Sequence, residues 1–331
     1  MRAYAPGRVN LIGDHTDYTG GFVLPAAVNR GTTVELEPGG DMVELTSDAE
    51  PEPARVPIDI EDPSTVEPAW ARYVAGVVAV VRPAQGGRGR VRTTLPVGAG
   101  LSSSAALEVA TALVLGFRGT PLQLAQACLR AEHLASGVPS GIMDQLASAA
   151  GEEGSALLID CTGYTVTAVP VPPRLDLVVA HSGQARTLVG SAYAERRAQC
   201  EEAARIVGPL RHADLDVLDG IGDETVRRRA RHVITENARV LAFAEAFRDH
   251  DVETAGKLMV ESHHSLRDDF DVSTPALDDL VERLLATRGV YGARLTGAGF
   301  GGCVVALAEP DSPAEGWRLR PSGGAFVDEA G

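Results

Sequence analysis

The sequence predicts an α+β fold divided into two lobes, on three observations. At 331 residues the chain exceeds one small core and fits two units of ~150 residues. Its patterning runs strands, helices, strands, helices, strands, rather than as a regular βαβ repeat. With 44% apolar and 23% charged residues, the composition is that of a globular chain and not a disordered one.

Each element follows from its local pattern. Residues 32–36, 42–46 and 90–95 alternate or run apolar between Gly and Pro, which predicts strands. A helix is predicted over 69–81. After Gly100 the apolar residues Leu107, Ala110, Val114 and Phe117 fall at three- and four-residue steps, the helical period. Further helices are expected over 122–135 and 141–149, then strands at 156–160, 165–171 and 175–180. The chain reads as mostly helical from 190 to about 286, then strand-like at 293–296 and 303–308. The lobes are expected to divide near 181–187, giving units 1–183 and 184–331. No tandem repeat is present.

Composition excludes several classes of function. A net charge of −15 argues against nucleic-acid and anionic-membrane partners. The basic run Arg227-Arg228-Arg229-Ala230-Arg231 lies in an acidic helical stretch and reads as a solvated face. No apolar run approaches the ~18–20 residues of a membrane span, and the first residues lack the apolar core of a secretory signal, so a cytoplasmic protein is expected. Cys128, Cys161, Cys200 and Cys303 are scattered without metal-finger spacing and read as reduced thiols. Lys257 is the sole lysine among 30 basic residues, and no glycine loop precedes it. A Walker A loop and a protein-kinase fold both need a lysine beside phosphate, so neither design fits. Any phosphate here must be held by backbone N–H groups, hydroxyls, arginine or a metal.

Three segments carry chemistry. In the first, Gly98-Ala99-Gly100-Leu101-Ser102-Ser103-Ser104 runs straight into a helical pattern. Glycines allow close backbone approach, and the first helical turn offers unsatisfied N–H donors that suit a phosphate. A serine N-cap behind an ordinary glycine loop would look similar, but three successive serines exceed what one cap requires. In the second, residues 5–21, Arg8, Asn10, Asp14, His15, Thr16, Asp17 and Tyr18 stand between glycines. That density of donors and acceptors suits a polyhydroxylated ligand, although a polar loop built on an Asx turn has a similar composition. In the third, residues 292–303, four glycines within six positions imply close backbone approach to a ligand or to the opposite lobe; a plain hairpin is the alternative.

Together the three segments resemble the three motifs of the GHMP small-molecule kinases. The first-motif stretch Gly7-Arg8-Val9-Asn10-Leu11-Ile12-Gly13-Asp14-His15-Thr16-Asp17-Tyr18 is similar to the galactokinase signature. The likeness extends to Gly141-Ile142-Met143-Asp144-Gln145, to 191–200 around Tyr193, to Arg229-Ala230-Arg231-His232 and to 265–270. It implies an N-terminal lobe like ribosomal S5 domain 2 and a ferredoxin-like C-terminal lobe, with ATP and sugar between them. It also implies transfer of phosphate from MgATP to the anomeric hydroxyl of galactose, by a monomer.

Carried over motif by motif, the resemblance makes Gly98 to Ser104 the nucleotide loop and gives Mg²⁺ to Ser104 and Glu132. Asp144 corresponds to the family's catalytic aspartate and Arg8 to its transition-state arginine. The sugar contacts implied are Asp14, His15, Thr16, Asp17, Gly141 and Tyr193. The chemistry is coherent: a carboxylate takes the hydroxyl proton, an arginine neutralises the transferring phosphoryl group, and Arg8 keeps Asp144 ionised.

This chain departs from the family's pattern at several positions. Asp14 stands where most galactokinases carry Glu, at the position facing the sugar's C6 end. Ser140 replaces a frequent Cys and Phe270 a frequent Tyr. The sequence begins almost on the first motif, and 309–317 is short for the helix that the resemblance implies there. Two alternatives accompany the galactokinase reading: a sugar 1-kinase for N-acetylgalactosamine or arabinose, and a silent sugar sensor. Intact Arg8, Ser102 to Ala106, Glu132 and Asp144 count against the sensor.

Overall fold

The first half of the polar segment 5–21 lies in a strand. Ala3, Ala5 and Val9 are fully buried, and the backbone around them pairs in a sheet. The computed structural model describes residues 1–96, 100–185 and 189–328. In chain order the first elements are β1 (Arg2–Asn10), β2 (Phe22–Val23), β3 (Pro25–Pro38), β4 (Met42–Ser47), β5 (Ala54–Pro57), α1 (Ala71–Val81) and β6 (Gly87–Thr93). Then come α2 (Ser103–Val114), α3 (Pro121–Ser136), α4 (Met143–Ala150), β7 (Ser155–Asp160), β8 (Thr165–Pro170) and β9 (Asp176–His181). The remainder is α5 (Val189–Val207), α6 (Glu224–Arg248), α7 (Val252–Asp268), α8 (Pro275–Leu285), β10 (Val290–Thr296), β11 (Cys303–Ala308), β12 (Trp317–Leu319) and β13 (Phe326–Asp328).

The helix boundaries have local causes. Thr120 Oγ1 accepts the Gln123 N–H at 3.2 Å while Gln123 Oε1 accepts the Thr120 N–H at 2.9 Å, a reciprocal cap that starts α3 with Pro121 in its first turn. Asp223 and Asp251 cap α6 and α7 in the same way, each accepting an N–H three residues on at 2.9 Å. Helix α2 stops at Val114, so Phe117 lies beyond it.

Six strands form the first sheet in the order β13-β1-β3-β6-β4-β5, and a three-stranded sheet runs β2-β7-β8. The second lobe is built on β10-β11-β9-β12. Strand β9 precedes the expected division at 183/184, yet its hydrogen-bonded neighbours are β11 and β12. Both its faces are covered. Leu177 and Val179 join the core shared with the first lobe, while Val178 and Ala180 join a core with Phe270, Leu277 and Leu284. Hence its near-continuous apolar sequence.

The basic run is not a solvated face throughout. Arg229 is buried, donating to Gln199 Oε1 at 2.9 Å and Asp269 O at 2.5 Å. Charge counting in one dimension misses it, because its partners lie 30 and 40 residues away. Cys128, Cys161 and Cys200 are buried free thiols, as their spacing led us to expect. Among the described residues no helix is long and apolar enough to cross a membrane.

Candidate active site

Strand β1 and the first turn of α4 bring Arg8 against Asp144. Arg8 donates from Nε to Asp144 Oδ1 at 2.8 Å, and its Nη2 stands 2.7 Å from the same oxygen in an ion pair. Its Nη1 donates to Gly100 O at 2.6 Å, and its backbone N–H to Leu101 O at 3.0 Å. The Arg8 side chain is 6% exposed and that of Asp144 28%, so the arginine forms the floor and the carboxylate keeps an open side. Asp144 Oδ2 accepts the Ser102 hydroxyl. Ser102 precedes α2 with φ +55°, a left-handed backbone that a non-glycine residue rarely holds. The expected glycine–serine loop thus converges on the Arg8–Asp144 pair through Gly100, Leu101 and Ser102. Gly98 and Ala99 lie outside the described residues.

Ser104 and Glu132, expected to act together, are in contact. Ser104 donates to Glu132 Oε1 at 3.2 Å; Ser140 and Gln145 Nε2 donate to Oε2 at 3.1 and 2.7 Å. A carboxylate flanked by hydroxyls is the hard oxygen set that Mg²⁺ takes. Among the described residues no group of three His, Cys, Asp or Glu gathers to cage a metal. Burial and then the Asp144 charge raise the Glu132 carboxyl above its usual range. Gln145, which the motif comparison includes without a role, also donates to buried Glu108 at 3.1 Å.

The polar residues of the first motif divide into two groups. Asp14 is buried: Oδ1 accepts the Gly297 N–H at 2.9 Å, and Oδ2 stands 2.6 Å from Nη2 of fully buried Arg294. His15, φ +67°, accepts the Tyr18 hydroxyl at Nδ1, 3.0 Å, and donates from Nε2 to Ala298 O at 3.2 Å. Burial lowers its pKa to about 4, so the ring is neutral. Thr16 Oγ1 lies 2.8 Å from Gly13 O and 2.6 Å from Phe22 O and serves the loop itself. These three face the protein. The third motif is therefore the partner of the first: its close approach is to Asp14, His15 and the 272 and 184 backbones, from which Phe300 and Gly302 draw their acceptors.

Asp17, Gly141 and Tyr193 form the other group. A Cβ at position 141 would collide with the Asp17 carboxylate, so glycine there is what admits it. The Tyr193 ring sits 5.4 Å from both His15 and Tyr18. Burial, then the Asp144 charge, pushes the Asp17 carboxyl up to about 7. Here the folded state keeps a proton that the unfolded chain releases near its ordinary 3.8. The resulting stability is full below that value and is lost as pH rises through the folded pKa. Melting temperature should therefore fall between pH ~4 and ~7 and fall less in Asp17→Asn; equal slopes would assign the titration elsewhere.

Beside the serine loop a cavity of about 320 Å³ is lined by Trp70, Tyr73, Thr93, Pro96, Ser103, Ser104 and others. It has the size and the aromatic walls to take a planar base next to the loop. Sequence reasoning missed Trp70 and Tyr73, because two aromatics around a helix start look like core. A larger cleft, about 810 Å³, lies between α8 and β12 and contains none of these residues.

With this geometry in place, the chain can be set beside known proteins. The galactokinase galactose-binding signature matches residues 1–38. The GHMP kinases N terminal domain matches 72–152, and GHMP kinases C terminal matches 243–318. A Homo sapiens galactokinase is 45% identical over 95% of this chain and 85% of that protein; one from a Roseiflexus species is 44% identical over 93% and 83%. The crystal structure of Lactococcus lactis galactokinase complexed with galactose superposes with a TM-score of 0.91 at 33% identity, covering 98% of this chain and 94% of that one.

Proposed function

The chain belongs to the galactokinases of the GHMP kinase family, and from that premise we propose how its own side chains move phosphate from ATP to the C1 hydroxyl of galactose. Asp144 is the base that accepts the hydroxyl proton as the new O–P bond forms. Arg8 orients that carboxylate and neutralises charge on the transferring phosphoryl group. The loop from Gly98 to Ser104 cradles the phosphates with backbone N–H groups and hydroxyls at the start of α2. The adenine base of ATP rests in the cavity of Trp70 and Tyr73. Ser104 and Glu132 would hold Mg²⁺, which when bound would neutralise the phosphate oxygens. Asp17, with Gly141 beside it, and Tyr193 line the sugar side; ionised Asp17 accepts sugar hydroxyls. The lobes divide just ahead of β9.

The observation that carries this reading is the Arg8–Asp144 pair at 2.7–2.8 Å, joined to the phosphate loop through Gly100 and Ser102. ADP release from MgATP over a panel of aldoses tests it: galactose should be turned over, and chelating the metal should stop it. No release with any aldose from folded, nucleotide-bound protein would overturn it. The panel also tests Asp14. With its oxygens engaged by Gly297 and Arg294, this carboxylate is not free for a direct bond to the sugar's 6-hydroxyl. A site that does not bond a hydroxyl leaves nothing unpaired when that hydroxyl is missing. We expect 6-deoxygalactose and L-arabinose within ~10²-fold of galactose in kcat/KM. Strong rejection of both would mean that Asp14 turns to the sugar.

A further inference from the structure

We infer that His232, Glu236 and Asn237 of α6 are positioning residues that set the loop carrying Asp17 from behind; this deepens the sugar reading of Asp17 and rests on it. The segment from 11 to 24 is largely buried and, apart from the two residues of β2, has no place in a sheet, so most of its backbone groups need partners from elsewhere. Helix α6 supplies three of them. The Gly13 N–H donates to Glu236 Oε1 at 3.0 Å, the Phe22 N–H donates to Asn237 Oδ1 at 2.8 Å, and His232 Nε2 donates to Asp14 O at 3.2 Å. Positions 232 and 236 lie one helical turn apart and share a face, and 237 follows 236 at roughly 100° around the helix.

Each of the three is itself held in place. Glu236 accepts the Ser262 hydroxyl at 2.6 Å and Arg239 Nε at 2.8 Å. Asn237 Nδ2 donates to Val233 O at 2.8 Å. His232 Nδ1 accepts the Ser265 hydroxyl at 2.9 Å, which fixes the Nε2–H tautomer facing Asp14. Burial works against the Glu236 charge, but Arg239 and other positive groups outweigh it and hold the carboxyl down at about 2. The bond to Gly13 is therefore charge-assisted, the stronger kind. Gly21 reflects the same contact, since a Cβ there would collide with Asn237 Oδ1. The His232 ring also packs 4.6 Å from Phe270, which packs 4.6 Å from His15. Apolar packing would suffice to join two lobes. Here the loop's polar groups are matched one by one at residues 13 and 14, directly ahead of His15 and Asp17.

Steady-state kinetics and amide exchange on the full-length enzyme test this. Glu236→Ala should raise the KM for galactose ~10-fold or more and leave the KM for ATP within about twofold. It should speed amide exchange across residues 11–24 but not across α2. Glu236→Gln keeps an oxygen for the Gly13 N–H and should recover most of the galactose KM. If Glu236→Ala does not fold, Asn237→Ala carries the same measurement, with a shift of ~3-fold. Equal losses toward galactose and ATP, or unchanged exchange across 11–24, would overturn the role. Exchange needs no turnover, so a wild-type enzyme inactive on galactose would sink the sugar reading while the exchange result still decided the positioning.

Discussion

Asp144→Asn is expected to lower kcat by ~10²–10⁴-fold and to leave galactose binding within about threefold. The substitution keeps the shape and an oxygen for the Ser102 hydroxyl, but removes the lone pair and charge that take up the sugar proton. It also replaces the charge-assisted bonds from Arg8 Nε and Nη2 with weaker ones or with an N–H facing a donor. An interaction made only in the transition state should appear in kcat and kcat/KM equally. Calorimetric titration with galactose separates this from a binding defect. A near-normal kcat would remove Asp144 from the base role.

Arg8→Ala should lose a comparable factor and also weaken the fold. The guanidinium donates from Nε to Asp144 Oδ1, holds Nη2 2.7 Å from the same oxygen and donates from Nη1 to Gly100 O, all from a nearly buried position. Its removal leaves the carboxylate with the Ser102 hydroxyl alone and the loop carbonyl without its donor, a cost on the order of 1–3 kcal/mol. Urea unfolding should therefore show a lower midpoint at unchanged slope, alongside the lost turnover. Arg8→Lys places a point charge where a planar fork reaches both Asp144 and the loop, so it should recover stability more than rate. Full rate in Arg8→Lys would reduce the arginine to a generic cation. Full stability in Arg8→Ala would show that the pair contributes nothing net to the fold.

Much of the molecule was legible in one dimension. The helical steps from Leu107 to Val114, the helix expected over 122–135 and the apolar run of β9 are local signals, written within a few residues of where they act. The lone lysine excluded two nucleotide-binding designs by residue type alone. The motifs led to Arg8, Asp144, Ser104 and Glu132 through resemblance, although nothing about Glu132 by itself marks it among helix-surface carboxylates.

The tertiary structure decided what depends on distant partners. Strand β1 hides in polar sequence because its pairing with β3 and β13, not its composition, makes it a strand. Arg229 reads as surface charge until Gln199 and Asp269 close over it. Asp14 reads as a lone carboxylate until Arg294, from the far end of the chain, is placed beside it. Trp70 and Tyr73 acquire a cavity, and Glu236 a backbone N–H to hold, only once the chain is folded. Periodicity and residue type act over one or two helical turns, so sequence by itself determined the elements and the kind of chemistry. Which buried charge meets which partner is set by contacts from 30 to more than 200 residues apart, and packing alone assigned them.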